Sequence, residues 1–128
     1  MPPSPSDGRR ATGARGEEIA ARYLSSRGWE ILARSWRPEF APRLGEVDLL
    51  ARDGSTLVVV EVRARSSRGH GTSLESVDAR KAARLARLAR AAARAFDMDE
   101  VRVDVVGIDR GRGRATRLTY VPNAVEIR

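Results

Sequence analysis

An otherwise apolar stretch, GEVDLLARDGSTLVVVEVRAR at residues 45–65, places Glu46, Asp48 and Glu61 within what reads as two strands. Runs of Val and Leu on either side of an Asp-Gly pair predict a β-hairpin. Carboxylates that project from neighbouring strands toward one point can bind a divalent cation, because Mg²⁺ prefers oxygen ligands. The type and spacing of these acids therefore predict a metal site in the hairpin.

The register of the hairpin decides which of these acids are neighbours. With Asp53 and Gly54 as the central residues of a type I′ turn, Glu46 faces Glu61 and Asp48 is the diagonal neighbour of Glu61. These side chains then lie on one face of the sheet, with the Cα atoms of Asp48 and Glu61 about 7–8 Å apart. A bulged three-residue turn would instead shift the register and turn one set of acids to the opposite face.

Two interpretations of this acidic face are open. Without a cation, carboxylates this close repel one another and one tends to stay protonated, which favours a metal site. Alternatively, the face is solvated, and Arg63 and Arg65 neutralise it at little energetic cost, as is common for surface acids.

The elements that must position these acids follow the order α-β-β-β-α-β-β. An amphipathic helix beginning near Gly16 precedes the strand WEILARSWR and the hairpin. A second helix, at about 74–96, connects the hairpin to the strand VRVDVVGID, and ATRLTYV forms the last strand. A helical crossover of this length predicts a parallel strand pair, and hence an α/β fold with a mixed sheet flanked by helices.

Length and composition indicate a single folded domain. The 128 residues fit one domain at 14–128, preceded by a leader at 1–13, rich in Pro, Ser, Gly and Arg, that we expect to be disordered. The absence of cysteine excludes disulfides and thiolate metal sites. No apolar segment suits a secretory signal or a membrane span, so we expect a cytoplasmic protein with no membrane partner.

The formal net charge of +7 indicates a polyanionic partner, most often nucleic acid. Lys81 is the only lysine among 24 basic residues. Such a preference for arginine is equally typical of a GC-rich genome, so charge alone leaves both explanations open.

The spacing of Asp48, Glu61 and Arg63 resembles the core of the PD-(D/E)xK nuclease superfamily, in which an acid on one strand precedes an E-x-K motif on the next. The segments RGEEIAARYL, GWEILARSWR, SVDARKAARLARLA and VRVDVVGI extend the resemblance over nearly the whole chain. Together they are similar to the YraN family, a largely uncharacterised bacterial family regarded as similar to archaeal Holliday-junction resolvases. The resemblance implies a restriction-endonuclease-like three-layer fold with a central mixed β-sheet flanked by helices.

The same resemblance implies roles for individual residues. Asp48 and Glu61 would hold Mg²⁺ or Mn²⁺, and Glu17 of the first helix would complete the metal cluster. Arg63 stands where the superfamily has its catalytic lysine. Asp104 matches a recurrent acid to which we assign no role.

Phosphate contacts are expected from three basic residues. Lys81 matches a helix lysine of the family pattern, and Arg65 and Arg68 follow the strand that carries Glu61. On the long helix, Arg80, Arg84 and Arg87 fit a phosphate-binding face and a solvated helix face equally well.

The remaining candidates have simpler explanations. His70 lies in a Gly- and Ser-rich segment, where a lone histidine is usually solvated. Trp29 and Trp36 flank the first strand, and we expect them to pack in the core or at its edge rather than stack on bases.

The first functional hypothesis is a Mg²⁺-dependent endonuclease for structured or branched DNA; substrates that need two cuts also suggest a homodimer. The alternative is a nuclease-like protein that binds nucleic acid without cutting it, or serves as an accessory in DNA repair or uptake. Arg63 favours the alternative, because arginine stays protonated and cannot act as a base. A third class, a protein-interaction module, would lack the steep salt dependence of DNA binding.

Overall fold

The computed structural model describes the backbone of residues 5–67, 78–111 and 116–127, and side chains within 15–64, 78–109 and 116–127. A short 3-10 helix at Pro42–Leu44 precedes the hairpin. The order of the remaining elements matches the predicted one. They are α1 (Pro5–Ser26), β1 (Glu30–Trp36), β2 (Val47–Asp53), β3 (Thr56–Ser67), α2 (Ala79–Ala95), β4 (Glu100–Gly111) and β5 (Arg117–Val125).

The five strands form one mixed sheet in the order β1-β2-β3-β4-β5. β3 and β4 are parallel, from Thr56 opposite Glu100 to Ser67 opposite Gly111, and the other neighbours are antiparallel. α2 connects the two parallel strands, as the crossover pattern predicts.

Alternate residues of the strands pack against different helices. Val58 and Val60 of β3 join a buried cluster with Leu24 of α1, whereas Leu57 and Val59 join a second cluster with residues of α2. Because side chains alternate across a strand, the two helices cover opposite faces of the sheet. The predicted three-layer α/β arrangement of a restriction-endonuclease-like fold is therefore confirmed.

Both helices begin at other residues than predicted. α1 begins at Pro5 rather than near Gly16, so it includes most of the segment predicted as a leader. Proline is favoured in the first turn of a helix, and Ala and Arg then sustain it. α2 begins at Ala79 rather than near Leu74, because the side chain of Asp78 accepts a hydrogen bond from Lys81 N–H and caps the helix. None of the helices in the described ranges combines the length and apolarity that crossing a bilayer requires.

The hairpin turn consists of Gly54 and Ser55 rather than Asp53 and Gly54, since Asp53 pairs with Thr56. Of the two turn residues, only Gly54 has a positive φ, of 61°, which matches a type II′ turn with glycine at its first central position. The predicted type I′ turn is therefore wrong, because one left-handed residue suffices here.

This turn changes the partners across the hairpin but keeps the faces. Leu50 lies opposite Val59 rather than Leu57. The change is an even number of residues, so the acids stay on their predicted sides. The described pairs end with Leu49 opposite Val60, and the same register continued by one residue places Asp48 opposite Glu61. Residues directly opposite each other are closer than the diagonal neighbours that the sequence predicts.

The two outer strands carry irregularities. The register of β1 shifts between Ile31 and Ala33. β5 does not end at Val121 as predicted, but continues to Val125 through a register shift that includes Asn123 at φ 51°. Asparagine tolerates this left-handed conformation, which explains how the strand passes a Pro-Asn pair that reads as a strand end.

Candidate active site

The acids of the hairpin lie where β2 and β3 separate. The described ladder ends with Leu49 opposite Val60, and Asp48 is the next residue toward the start of β2. One oxygen of its carboxylate, Oδ2, accepts a hydrogen bond of 2.8 Å from Val62 N–H. The carboxylate thereby satisfies a backbone donor of β3, and this hydrogen bond fixes its position beside Glu61.

Glu61 is held from the opposite element by Lys81. The Lys81 Nζ atom lies 2.9 Å from Glu61 Oε1, and only 12% of the Glu61 side chain is exposed. Lys81 stands in the first turn of α2, where the Asp78 cap accepts its backbone N–H at 2.8 Å. The Lys81 ammonium binds an acid of the hairpin, and the phosphate contact predicted for Lys81 stays a prediction.

The residue before Glu17 has no side chain, and this allows α1 to pack closely against β3. A Cβ atom added to Gly16 would lie 2.9 Å from the Cβ atom of Ala64, so only glycine lets α1 approach β3 this closely. The adjacent Glu18 points elsewhere and binds Arg34 Nη1 at 2.7 Å. Of two consecutive glutamates, Glu17 lies close enough to Glu46 and Glu61 for their charges to raise its pKa, and Glu18 forms surface ion pairs.

The negative charges of this region act on one another. Burial raises the pKa of Glu17, and the charges of Glu46 and Glu61 raise it further, whereas Arg34 lowers it. Glu46 itself is exposed and forms an ion pair of 3.4 Å with Arg37. Glu46 thus contributes to the negative potential from the rim.

Asp48 carries the largest perturbation. Burial, followed by the charge of Glu61, raises the pKa of Asp48 to about 7. The hydrogen bond from Val62 N–H opposes the increase, Glu17 adds to it, and Lys81 lowers it again. A carboxyl group with a pKa near neutrality either carries a proton or gains from a nearby cation.

The predicted metal residues Glu17, Asp48 and Glu61 are therefore brought within electrostatic reach of one another, from one helix and two strands. Within the described ranges, no group of three or more His, Cys, Asp or Glu side chains is arranged so that it could hold a metal ion. The ammonium of Lys81 lies against Glu61 and supplies positive charge at this point.

The predicted basic residues divide into two groups. Arg63 is partly buried on β3, two residues after Glu61 and hence on the same face of the strand. The side chain of Arg65, and all of Arg68 and His70, lie outside the described parts of the chain. Their predicted phosphate contacts stay predictions.

Asp104 has a structural position away from the hairpin acids. Its fully buried carboxylate accepts hydrogen bonds from Tyr120 O–H, from Arg102 Nε at 3.2 Å and from Asn123 N–H at 2.7 Å. It therefore holds the irregular part of β5 against β4. In the sequence, the asparagine at position 123 is the one hint of this role, and its meaning becomes clear only from its left-handed backbone in the structure.

The two tryptophans pack as predicted. Trp29 is 8% exposed in the cluster beneath α1, with its ring 5.9 Å from that of Tyr120 in an edge-on arrangement. Trp36 packs against the α2 cluster, with its ring 6.0 Å from that of Phe96.

Comparison with known proteins identifies the family of the chain. A family model described as "Uncharacterised protein family UPF0102" matches residues 16–108. A UPF0102 protein of Acidothermus cellulolyticus is 45% identical and covers 91% of this chain and 94% of its own length. Relatives of the same description from Rhodococcus opacus and Roseiflexus castenholzii are 43% and 44% identical and cover 89% and 87% of this chain. They are matched over 95% and 90% of their own lengths. The resemblance predicted from the sequence is confirmed, and the chain belongs to the UPF0102 family, for which YraN is another name.

Proposed function

We propose that this protein is a divalent-metal-dependent endonuclease that acts on structured or branched DNA. The observation that carries the proposal is Asp48, whose pKa is raised to about 7 by burial beside Glu61 and Glu17. Acids without a functional role are usually exposed, because burying a carboxylate without a compensating partner destabilises the fold. Strongly perturbed acids on converging elements are typical of functional sites.

The chemistry of the donor groups fits Mg²⁺ or Mn²⁺. Asp48, Glu61 and Glu17 offer only carboxylate oxygens, which hard cations prefer, and the chain has no cysteine that could supply a thiolate. Burial, followed by the negative charge of neighbouring acids, raises the pKa of Asp48 and Glu17, and a cation would relieve the repulsion between these charges. When bound, such an ion lowers the pKa of a coordinated water and neutralises charge on a phosphate.

The chain's own residues orient these acids and supply positive charge. Val62 N–H fixes one oxygen of Asp48, and Lys81 fixes one oxygen of Glu61. Arg63 cannot take a proton from water, but its guanidinium can stabilise negative charge that develops on a phosphate. The ammonium of Lys81 binds Glu61, which is the acid that precedes the catalytic lysine in the superfamily pattern.

Cleavage assays with matched variants test the proposal. Purified protein is incubated with four-way, flapped and single-stranded DNA, in Mg²⁺, Mn²⁺ or EDTA. We expect metal-dependent nicking of branched DNA that Asp48→Asn and Glu61→Gln abolish and that the exposed-loop control Asp99→Asn retains. Nicking that persists in both site variants would overturn the assignment of the site.

A second candidate is a protein of this fold that binds branched DNA without cutting it. Two observations favour it: Arg63 stands in the lysine position, and Lys81 already neutralises Glu61. Binding that survives Asp48→Asn and Glu61→Gln, without cleavage of any substrate by the wild-type protein, would select this candidate.

A further inference from the structure

A cavity of about 430 Å³ lies between α2 and the 3-10 turn that precedes β2, and arginines dominate its wall. Its lining contains no acid; it consists of Arg43, Leu44, Arg80, Ala83, Arg84 and Arg87. The four arginines are exposed, and within the described residues none of them forms an ion pair. Cations gathered without counter-charges repel one another, so this open cavity, called the groove below, attracts an anion.

The groove is built by the fold rather than by chance orientation of surface side chains. Gly45, at φ 126°, brings the chain close to α2. A Cβ atom added to this residue would lie 3.6 Å from Arg84 Cδ and 3.7 Å from Leu88 Cδ1. The turn therefore packs along the stem of Arg84 and faces Arg43 toward the helix. Residues 80, 84 and 87 follow the i, i+4, i+7 spacing of a single helix face.

The groove begins next to the acids of the candidate site. Arg80 precedes Lys81, whose ammonium binds Glu61, and Gly45 precedes Glu46. From Arg80 to Arg87 the helix rises about 10 Å. One strand of a DNA duplex presents a phosphate about every 3.4 Å along its axis, so this row can meet two or three consecutive phosphates.

We propose that Arg43, Arg80, Arg84 and Arg87 bind the sugar-phosphate backbone of duplex DNA and direct one strand toward Asp48 and Glu61. The inference rests on the proposed function for the class of ligand. Contacts to phosphates position a protein on a duplex and carry no sequence information, so binding through these contacts should not depend on the base sequence.

Two double variants that remove the same charge test the groove. Arg84→Gln with Arg87→Gln removes two groove arginines; the control, Arg22→Gln with Arg117→Gln, removes two exposed arginines of α1 and β5. The probe is a fluorescein-labelled four-way DNA junction in EDTA, and its anisotropy is followed from about 50 to 200 mM salt. We expect the groove variant to bind about tenfold more weakly and its log–log salt slope to be lower by about 2, at about 0.9 per lost phosphate contact.

The control variant should bind within about twofold of wild type with an unchanged slope. Equal losses in both variants, an unchanged groove variant, or a wild-type protein that does not bind the junction would each overturn the inference. Inorganic phosphate, added at the same ionic strength as a chloride control, should displace the junction no better than chloride. Selective displacement by phosphate would identify a site for free phosphate instead.

The outcome separates this inference from the proposed function. A wild-type protein that cleaves, with a groove variant whose KM and salt slope are unchanged, would refute the groove and leave the endonuclease standing. A wild-type protein that binds through the groove but cleaves nothing would do the reverse. Circular dichroism of both double variants checks that exposed substitutions leave the fold intact.

Discussion

The ammonium of Lys81 lies 2.9 Å from Glu61 Oε1 and joins α2 to the acids of the hairpin. The superfamily pattern places its lysine two residues after the second acid, on the same strand, where this chain has Arg63. Here the only lysine of the chain reaches that acid from the next helix. A positive charge at Glu61 is therefore present, although it comes from another element.

The pair of Lys81 and Glu61 should be energetically coupled. Lys81→Met leaves a mostly buried carboxylate without its cation, which we expect to cost roughly 1–3 kcal/mol of unfolding free energy at pH 8. Glu61→Gln should cost less in the Lys81→Met background than alone, and Lys81→Arg should retain most of the stability. Urea denaturation of the four proteins of the double-mutant cycle measures the coupling. Additive effects would show that the two side chains do not interact in solution.

The raised pKa of Asp48 predicts a pH-dependent stability. The folded protein holds the Asp48 proton more tightly than the unfolded chain, so stability falls as pH rises from about 4 to about 7, and the loss is complete above that. At about 1.4 kcal/mol per pH unit, a rise of the pKa from 3.8 to about 7 limits the effect to about 4 kcal/mol. Solvent screening should reduce the effect to on the order of 2 kcal/mol.

Asp48→Asn removes this titration while an amide oxygen can still accept Val62 N–H. We expect the variant to match wild type only near pH 4 and below, and to be increasingly more stable as the pH rises to 8, with Asp99→Asn as the control in urea denaturation. A constant difference between pH 5 and pH 8 would mean that Asp48 titrates normally.

Mg²⁺ should stabilise the wild-type protein if the acids bind it. At a concentration about 100 times the Kd, a ligand of the folded state adds about 2.7 kcal/mol, which corresponds to about 10 °C of Tm in a domain of this size. The double variant Asp48→Asn with Glu61→Gln should show no increase beyond that in NaCl of equal ionic strength. Differential scanning calorimetry at pH 8 makes the comparison. An equal increase in both proteins would place the ion elsewhere.

The contact between α1 and β3 should depend on glycine at position 16. Gly16→Ala forces its new Cβ to within 2.9 Å of the Cβ of Ala64, and we expect overpacking to cost about 1–3 kcal/mol. The displaced helix should also move Glu17 and reduce cleavage. Ala64→Gly should restore much of both in the double variant. If Gly16→Ala raises Tm, as its helix propensity alone would suggest, the close approach is absent.

Asp104 should matter for stability and not for cleavage. Asp104→Asn replaces a buried acceptor of hydrogen bonds from Arg102, Tyr120 and Asn123, and we expect it to lose about 2–4 kcal/mol. Its cleavage rate per folded molecule, measured below the Tm of the variant, should match that of wild type. A stable but inactive variant would instead give Asp104 a part in the site.

Much of the fold follows from patterns that the sequence displays directly. The alternation of apolar residues in β3, the helical period of α2 and the crossover between β3 and β4 fix a mixed sheet with a helix on each face. The turn could not be derived, because Asp53-Gly54 and Gly54-Ser55 both satisfy the preference for glycine. The two alternatives differ by a register shift of two residues. The predicted strand partners were therefore wrong, but each side chain lies on the predicted face of the sheet.

The candidate site is predictable in its members and not in its contacts. Asp48 and Glu61 follow from the hairpin pattern, and Glu17 follows from the family resemblance. The close packing of Gly16 on Ala64 that brings Glu17 near, and the reach of Lys81 to Glu61, depend on the distance between layers. That distance results from packing of the whole core, which no local pattern contains.

The irregular outer strands have a consequence for self-association. A regular edge strand offers a row of unpaired N–H and C=O groups to a second molecule, whereas a bulge twists and interrupts that row. Both β1 and β5 carry such interruptions. Two copies of this protein should therefore not join their sheets into one continuous sheet through these edges.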